Sequence, residues 1–311
     1  MKRIIPCVVI TLLMMIAGSF LPLFGFFGLM LCPLPLGVLG CLEGRKVSSI
    51  AELMIEATLF LVVSPTMAAY FLLGCAPVSA TLYALSQESF RNAKKLSAGE
   101  SLFICAGASV IFKTILIGAF WFFTGRNIFL PDTSQMANVM TQMYEDQPEL
   151  QAALLQAMRI LPHMLPSLLV VYAGVESYLN YSLCFGIVRK FFPDCKNFPP
   201  ELPKFSLWKF PASVFFVSLG GFLLGLLVDI ESWFEGAMFI MNLQIVANVL
   251  MFVQGLSVAS WIMDGFKLRK GIKILIFCVM SVPFFWPWLI VIGMCEMTLN
   301  VRERIKFKGE K

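Results

Sequence analysis

Charge is what this chain has least of. Asp, Glu, Lys and Arg make up 14% of its 311 residues, while 59% are hydrophobic. A water-soluble domain carries about 25% charged residues, so the shortage excludes an ordinary soluble enzyme and leaves a polytopic membrane protein. Histidine is nearly absent, with His163 alone, and no aspartates cluster. Metal-assisted and Ser-His chemistry therefore lack their residue types. H-E-x-x-H, G-x-S-x-G and P-loop patterns are also missing. The expectation is a non-enzyme with no metal and no cofactor. The formal charge of +5 reads as membrane-loop bias and implies no nucleic-acid partner. The nine cysteines form no C-x-x-C pair and most sit in apolar runs, which argues against a zinc site or disulfide framework. There they act as small apolar residues.

What is present is long apolar sequence. A spanning helix needs about 20 apolar residues. Residues 4–42 carry no charge, and Pro22, Pro33 and Pro35 divide them. As one helix they would run roughly 58 Å at 1.5 Å per residue, about twice the hydrocarbon thickness. Two passes, 4–21 and 23–42, are expected instead. Lys2-Arg3 ahead of this run resembles a signal peptide, but the unbroken apolar sequence behind it favours a retained first helix. Further passes are read at 50–64, 66–87, 101–124, 164–188, 210–229, 236–263 and 273–299. The expected fold class is all-α: one integral membrane domain over 1–311, a transmembrane bundle of about eight or nine passes set in the lipid bilayer.

Loop charge orients the bundle. Arg45/Lys46, Arg91/Lys94/Lys95, the lysines and arginine of 189–209, and Lys267/Arg269/Lys270/Lys273 alternate onto one side, which the positive-inside rule makes cytoplasmic. One conflict follows. Nine passes would put the basic tail, 300–311, outside. Either that tail breaks the rule, or the last segment is re-entrant, broken at "VPFFWPW". The external loop 125–163 has two stretches of helical spacing, "DTSQMANVMTQMY" and "PELQAALLQAMRIL". They predict amphipathic surface helices, acting as a packed connector or as a lid over a site.

Charges that cannot be assigned to loops locate a candidate site. Lys113 and Glu176 fall at the midpoints of their passes, where an ionisable group costs about 2.5–3.5 kcal/mol and is normally paired or turned inward. Their pairing on consecutive antiparallel helices is expected. Tyr172 and Asn180 flank Glu176 at i−4 and i+4 on one stripe. On the pass 236–263, Gln244 and Asn248 repeat the i, i+4 spacing near mid-depth. Lys113, Glu176, Asn180, Gln244 and Asn248 are therefore the candidate substrate-binding residues. The alternative is structural: a buried ion pair with interhelical amide bonds. Gly221-x-x-x-Gly225 and the Ala76, Ala80, Ala84 series mark expected close helix packing.

"LCPLPLGVLG", "YLNYSLCFGIVRKFF" before "FPPELPKFSLWKFP", and "NLQIVANVLMFVQGLSVASWIM" resemble the YybS-like proteins, bacterial multi-pass membrane proteins with a domain of unknown function. The resemblance spans nearly the whole chain and carries no established activity. It implies a multi-pass protein of the cell (inner) membrane. That group is distantly similar to the substrate-binding S components of energy-coupling-factor transporters, which borrow ATPase and membrane coupling subunits from partner chains. The polar residues at mid-depth lead to the expectation of an unknown small polar substrate. A non-transporting scaffold or interaction protein of the cell envelope is the alternative.

Overall fold

The computed structural model describes residues 3–20, 22–87, 96–125, 147–193, 195, 201–227 and 234–304. Every regular element among them is helical. In chain order these are α1 (Ile4–Phe20), α2 (Pro22–Leu31), α3 (Pro33–Glu43), α4 (Arg45–Thr58), α5 (Pro65–Ser86), α6 (Ala98–Thr124), α7 (Pro148–Ile160), α8 (Leu165–Phe191), α9 (Ser213–Leu227), α10 (Phe234–Gly265), α11 (Lys270–Met280) and α12 (Trp286–Leu299).

Proline and capping chemistry set the breaks. Pro33, at the start of α3, has no N–H for the helix to continue through, and the chain turns at Cys32. Ser64 caps α5, accepting from Met67 N at 3.1 Å, with Pro65 in the first turn. Ser97 and Glu100 form a reciprocal capping box on α6. Inside α5, residues Phe71–Cys75 are wound as a π turn just ahead of Pro77.

Four helices among the described residues are long and apolar enough to span a membrane: Pro65–Ser86, Ala98–Thr124, Leu161–Phe191 and Gly236–Gly265. The bent pair Lys270–Met280 and Pro283–Leu299 makes a fifth if it is one span. Expected passes at 4–21, 23–42 and 210–229 correspond to shorter apolar helices. The all-α membrane architecture stands, but the count of eight or nine is not reached by helices of full spanning length. Proline and π turns cut the apolar runs into shorter rods. Phe103, Phe122 and Phe123 on α6 are 77%, 83% and 82% exposed, an outward apolar face suited to lipid and costly in water. The amphipathic helix expected over 148–161 is present as α7. The helix expected around 132–143 and the tail beyond Arg304 lie outside the described residues.

The chain divides into two compact units. The first takes residues 1–131 and 172–202, and the second 132–171 and 203–311. In the first, Met15, Leu36, Ile55, Leu59 and Phe71 form one buried cluster. Leu82, Leu85, Tyr181 and Phe185 form another.

In the second unit, Gly255 of α10 and Gly293 of α12 stand where the two helix backbones meet, so close that a Cβ on either would lie 2.0 Å from a carbonyl oxygen of the other helix. The segment before α9 is held from two elements. Gln254 accepts from Phe210 N (2.8 Å) and donates to the Trp208 carbonyl (3.1 Å). Arg302 donates to the carbonyls of Ser206 (2.6 Å) and Trp208 (2.8 Å). Burial pushes the Arg302 guanidinium down from its ordinary pKa, and the Glu296 carboxylate beside it opposes that.

These contacts tie both ends of the last segment to one part of this unit. At one end of the bent pair Lys273 pairs with Asp264, which also faces Ser206. At the other end Arg302 binds Ser206 and Trp208. Both ends thus return to residues 204–209. The bend is 84°, and Trp286, just past it, packs on Phe252 of α10 with ring centroids 5.7 Å apart. Phe252 is 12 residues from Asp264, about 18 Å along a helix, well short of the roughly 30 Å hydrocarbon thickness. A re-entrant loop is therefore the expected arrangement of this bent pair, and it would put the tail on the side of residues 204–209. Topology reporters fused after Arg304 and inserted at Pro203 are expected to report the same side of the membrane; opposite sides would refute the re-entrant arrangement.

Candidate functional site

The charged centre lies in the first unit. α6 carries Lys113 and α8 carries Glu176, each near the middle of a 27-residue helix. Lys113 Nζ is 2.6 Å from Glu176 Oε2, with the side chains 6% and 0% exposed. Ser109, one turn before Lys113, donates to the same Oε2 at 2.5 Å and accepts from Lys113 at 2.8 Å. The third ammonium proton reaches the Gly74 carbonyl at 3.1 Å. Gly74 lies in the π turn of α5, where the helix departs from its regular ladder, a distortion common at functional sites. Lys113 also stands 5.3 Å above the Tyr172 ring, a cation–π distance. Tyr172 in turn faces the Tyr70 hydroxyl of α5.

Asn180 extends the centre to the break between α2 and α3. Its Nδ2 donates to the Met30 carbonyl at 2.8 Å and to the Glu176 carbonyl at 2.8 Å. Glu176, Ser177 and Asn180 are fully buried. Yet among the described residues Glu176 Oε1, Ser177 Oγ and Asn180 Oδ1 have no hydrogen-bond partner. A buried oxygen left unpaired costs about 1–3 kcal/mol, so three within two turns of one helix require an explanation.

The five residues singled out from the sequence divide between the units. Lys113, Glu176 and Asn180 share one connected polar centre. Gln244 and Asn248 belong to the second unit. Gln244 is half-buried, its Cγ 3.3 Å from where a Cβ on Gly221 would lie, and Asn248 is exposed. The well-bonded amides of α10 are instead Gln254 and Asn242. Asn242 accepts from Ser167 N (2.9 Å) and donates to the His163 carbonyl (2.7 Å). Position along a helix was readable from the sequence. The face of an all-round apolar helix was not.

Sequence reasoning passed over Ser109, Ser177 and the carbonyls of Gly74 and Met30. Ser109 carried a signal, its i−4 spacing from Lys113. Ser177 adjoins Glu176. The carbonyls carried only the indirect signal of nearby prolines. All nine cysteines are free thiols. Among the described residues, no three His, Cys, Asp or Glu side chains gather as a metal-ligand set.

A family model described as "Predicted membrane protein (DUF2232)" matches residues 9–297. Among curated proteins, "Uncharacterized protein YybS" of Bacillus subtilis (strain 168) is 25% identical over 148 residues, covering 47% of this chain and 46% of the relative. The match thus spans about half the length of that relative. No solved structure matches.

Proposed function

The chain belongs to the DUF2232 family of predicted membrane proteins, and we propose that it is a substrate-binding membrane subunit of a transporter, with its site at the Lys113–Glu176–Asn180 centre. The observation that carries this reading is the set of three buried oxygens, on Glu176, Ser177 and Asn180, with no hydrogen-bond partner among the described residues. They define the ligand by elimination. All three protons of the Lys113 ammonium are already directed to Glu176, Ser109 and Gly74, so none is left for an anion. The pair is neutral as a whole, so an added cation would leave an uncompensated charge in a dry interior at several kcal/mol. What remains is a small uncharged molecule that supplies N–H or O–H groups. The chain has no nucleotide-binding motif, so energy for transport would come from ATPase and membrane coupling subunits on other chains. Its place is the cell (inner) membrane, and it performs no chemistry on its ligand.

A second reading, a non-transporting envelope scaffold, is favoured by one feature. Lys113 and Asn180 each tie a neighbouring helix through a backbone carbonyl, as interhelical polar glue does. Ser177→Ala separates the two. It removes an oxygen that bonds no other described residue, so stability should be unchanged or slightly raised. Full-length protein extracted from its own membranes is denatured, and released small molecules are identified by mass spectrometry. An uncharged polar compound is expected from the native protein, at least about fivefold depleted in Ser177→Ala if one ligand hydrogen bond of about 1 kcal/mol is lost. Equal release from both, or none from the native protein, would leave only the scaffold.

A further inference from the structure

The second unit has a strongly basic end. Residues 203–210, 264–273 and 296–304 hold eight Lys or Arg side chains against Asp264, Glu296 and Glu303. Each acid is already matched: Asp264 by Lys273, Glu296 by Arg302 and Glu303 by Lys209. Lys204, Lys267, Arg269, Lys270 and Arg304 are exposed, and no ion pair engages them among the described residues. The contacts described above gather these segments. Arg302 binds the 206–208 backbone, Asp264 faces both Ser206 and Lys273, and Lys204 lies within electrostatic reach of Asp264. The turn carrying Lys267 is closed onto Asp264, whose carbonyl accepts from Lys267 N at 2.9 Å.

Bulky apolar side chains stand among these charges. Leu207, Phe266, Ile274 and Leu275 are 59%, 67%, 64% and 65% exposed. A nucleic acid or an acidic soluble protein would match the charges and leave these groups in water. A bilayer interface satisfies both, with hydrocarbon around the apolar groups and phosphates at the lysine level. Positive charge in such a layer attracts anionic lipid over zwitterionic lipid, by about fivefold per basic residue near the surface.

We propose that this end of the second unit is a binding surface for anionic phospholipid headgroups, with Lys204, Lys267, Arg269, Lys270 and Arg304 as its phosphate contacts and Leu207 and Phe266 set into the acyl boundary. It is independent of the ligand centre in the first unit. The clamp of Arg302 and Gln254 on residues 206–210 acts as a positioning device, fixing Lys204 and Lys209 relative to α10.

The test uses full-length protein in detergent micelles doped with phosphatidylglycerol or phosphatidylcholine, with retained lipid counted by native mass spectrometry. Preferential retention of phosphatidylglycerol is expected, weakening as NaCl rises from 0.05 to 0.5 M because exposed charges are screened. The combined change Lys267→Gln and Lys270→Gln should weaken it by roughly 25-fold. Lys46→Gln, in the first unit, should leave it unaltered. Equal retention of both lipids, insensitivity to salt, or a double variant within twofold of the native protein would each overturn the proposal. So would full displacement by 10 mM inorganic phosphate, which would mark a free-anion site. Should the double variant fail to fold, the native protein's lipid preference and salt dependence decide alone.

Discussion

Lys113→Met is expected to destabilise the protein by about 3–5 kcal/mol, the cost of leaving one member of a buried ion pair without the other. The size follows from the geometry. Glu176 is fully buried and takes its charge compensation from an ammonium 2.6 Å away. Without that ammonium, Ser109 is the one donor to the carboxylate left among the described residues. Glu176→Gln should cost a similar amount by a different route, because the amide can accept from Lys113 but cannot neutralise it. The double change Lys113→Met with Glu176→Gln removes both charges and should recover a large part of either loss. Buried pairs replaced as a pair are often near neutral, whereas broken pairs are not. Unfolding of the full-length protein in mixed micelles, followed across the four members of this cycle, measures the coupling. Single changes that each cost under about 1 kcal/mol, and add in the double variant, would mean that the centre is wet and the pair contributes little.

The second large effect is steric. Gly255→Ala would place a Cβ 2.0 Å from the Leu289 carbonyl oxygen and 2.7 Å from its carbon; Gly293→Ala would place one 2.0 Å from the Met251 carbonyl oxygen. Backbone atoms inside a helix cannot swing aside as a side chain can, so α10 and α12 must separate. Overpacking typically costs about 1–3 kcal/mol, and these contacts belong at or above the top of that range. Gly221→Ala is the contrast. Its Cβ would meet the flexible Gln244 side chain at 3.3 Å, a contact that small movements relieve. Melting of the three alanine variants should place Gly255→Ala and Gly293→Ala far below Gly221→Ala. Equal losses at all three would contradict the backbone crossing. Gly221-x-x-x-Gly225 was the packing motif visible in the sequence, yet the tightest crossing uses two glycines 38 residues apart that no local pattern joins.

The candidate site was partly legible for the same kind of reason. Lys113 and Glu176 stood out because a charge inside an apolar run costs too much to be incidental. Asn180 followed from its i+4 position on Glu176. Gln244 and Asn248 were reached by expected depth and their own i, i+4 spacing, and neither specifies which face meets a neighbour. Asn242 and Gln254, on the same helix, make the bonds instead. The proline breaks at Pro33 and Pro65 were visible. The π turn that offers the Gly74 carbonyl to Lys113 was not, since a one-residue change in helical winding leaves no mark on hydrophobic spacing.

By itself the sequence determined that this is an all-helical membrane protein, where most of its helices break, and which charges lie near the middle of long apolar helices. Each of these is a property of a single segment in a solvent of known polarity, and composition and spacing report it directly. Tertiary structure alone decided that Lys113 holds three partners, that three oxygens beside it hold none among the described residues, that Gly255 meets Gly293, and that the last segment turns back beside residues 204–209. Those outcomes depend on how each helix is rotated about its axis and on which neighbour it meets. In a helix apolar on every side, that rotation is fixed by packing, and no periodicity in the sequence encodes it.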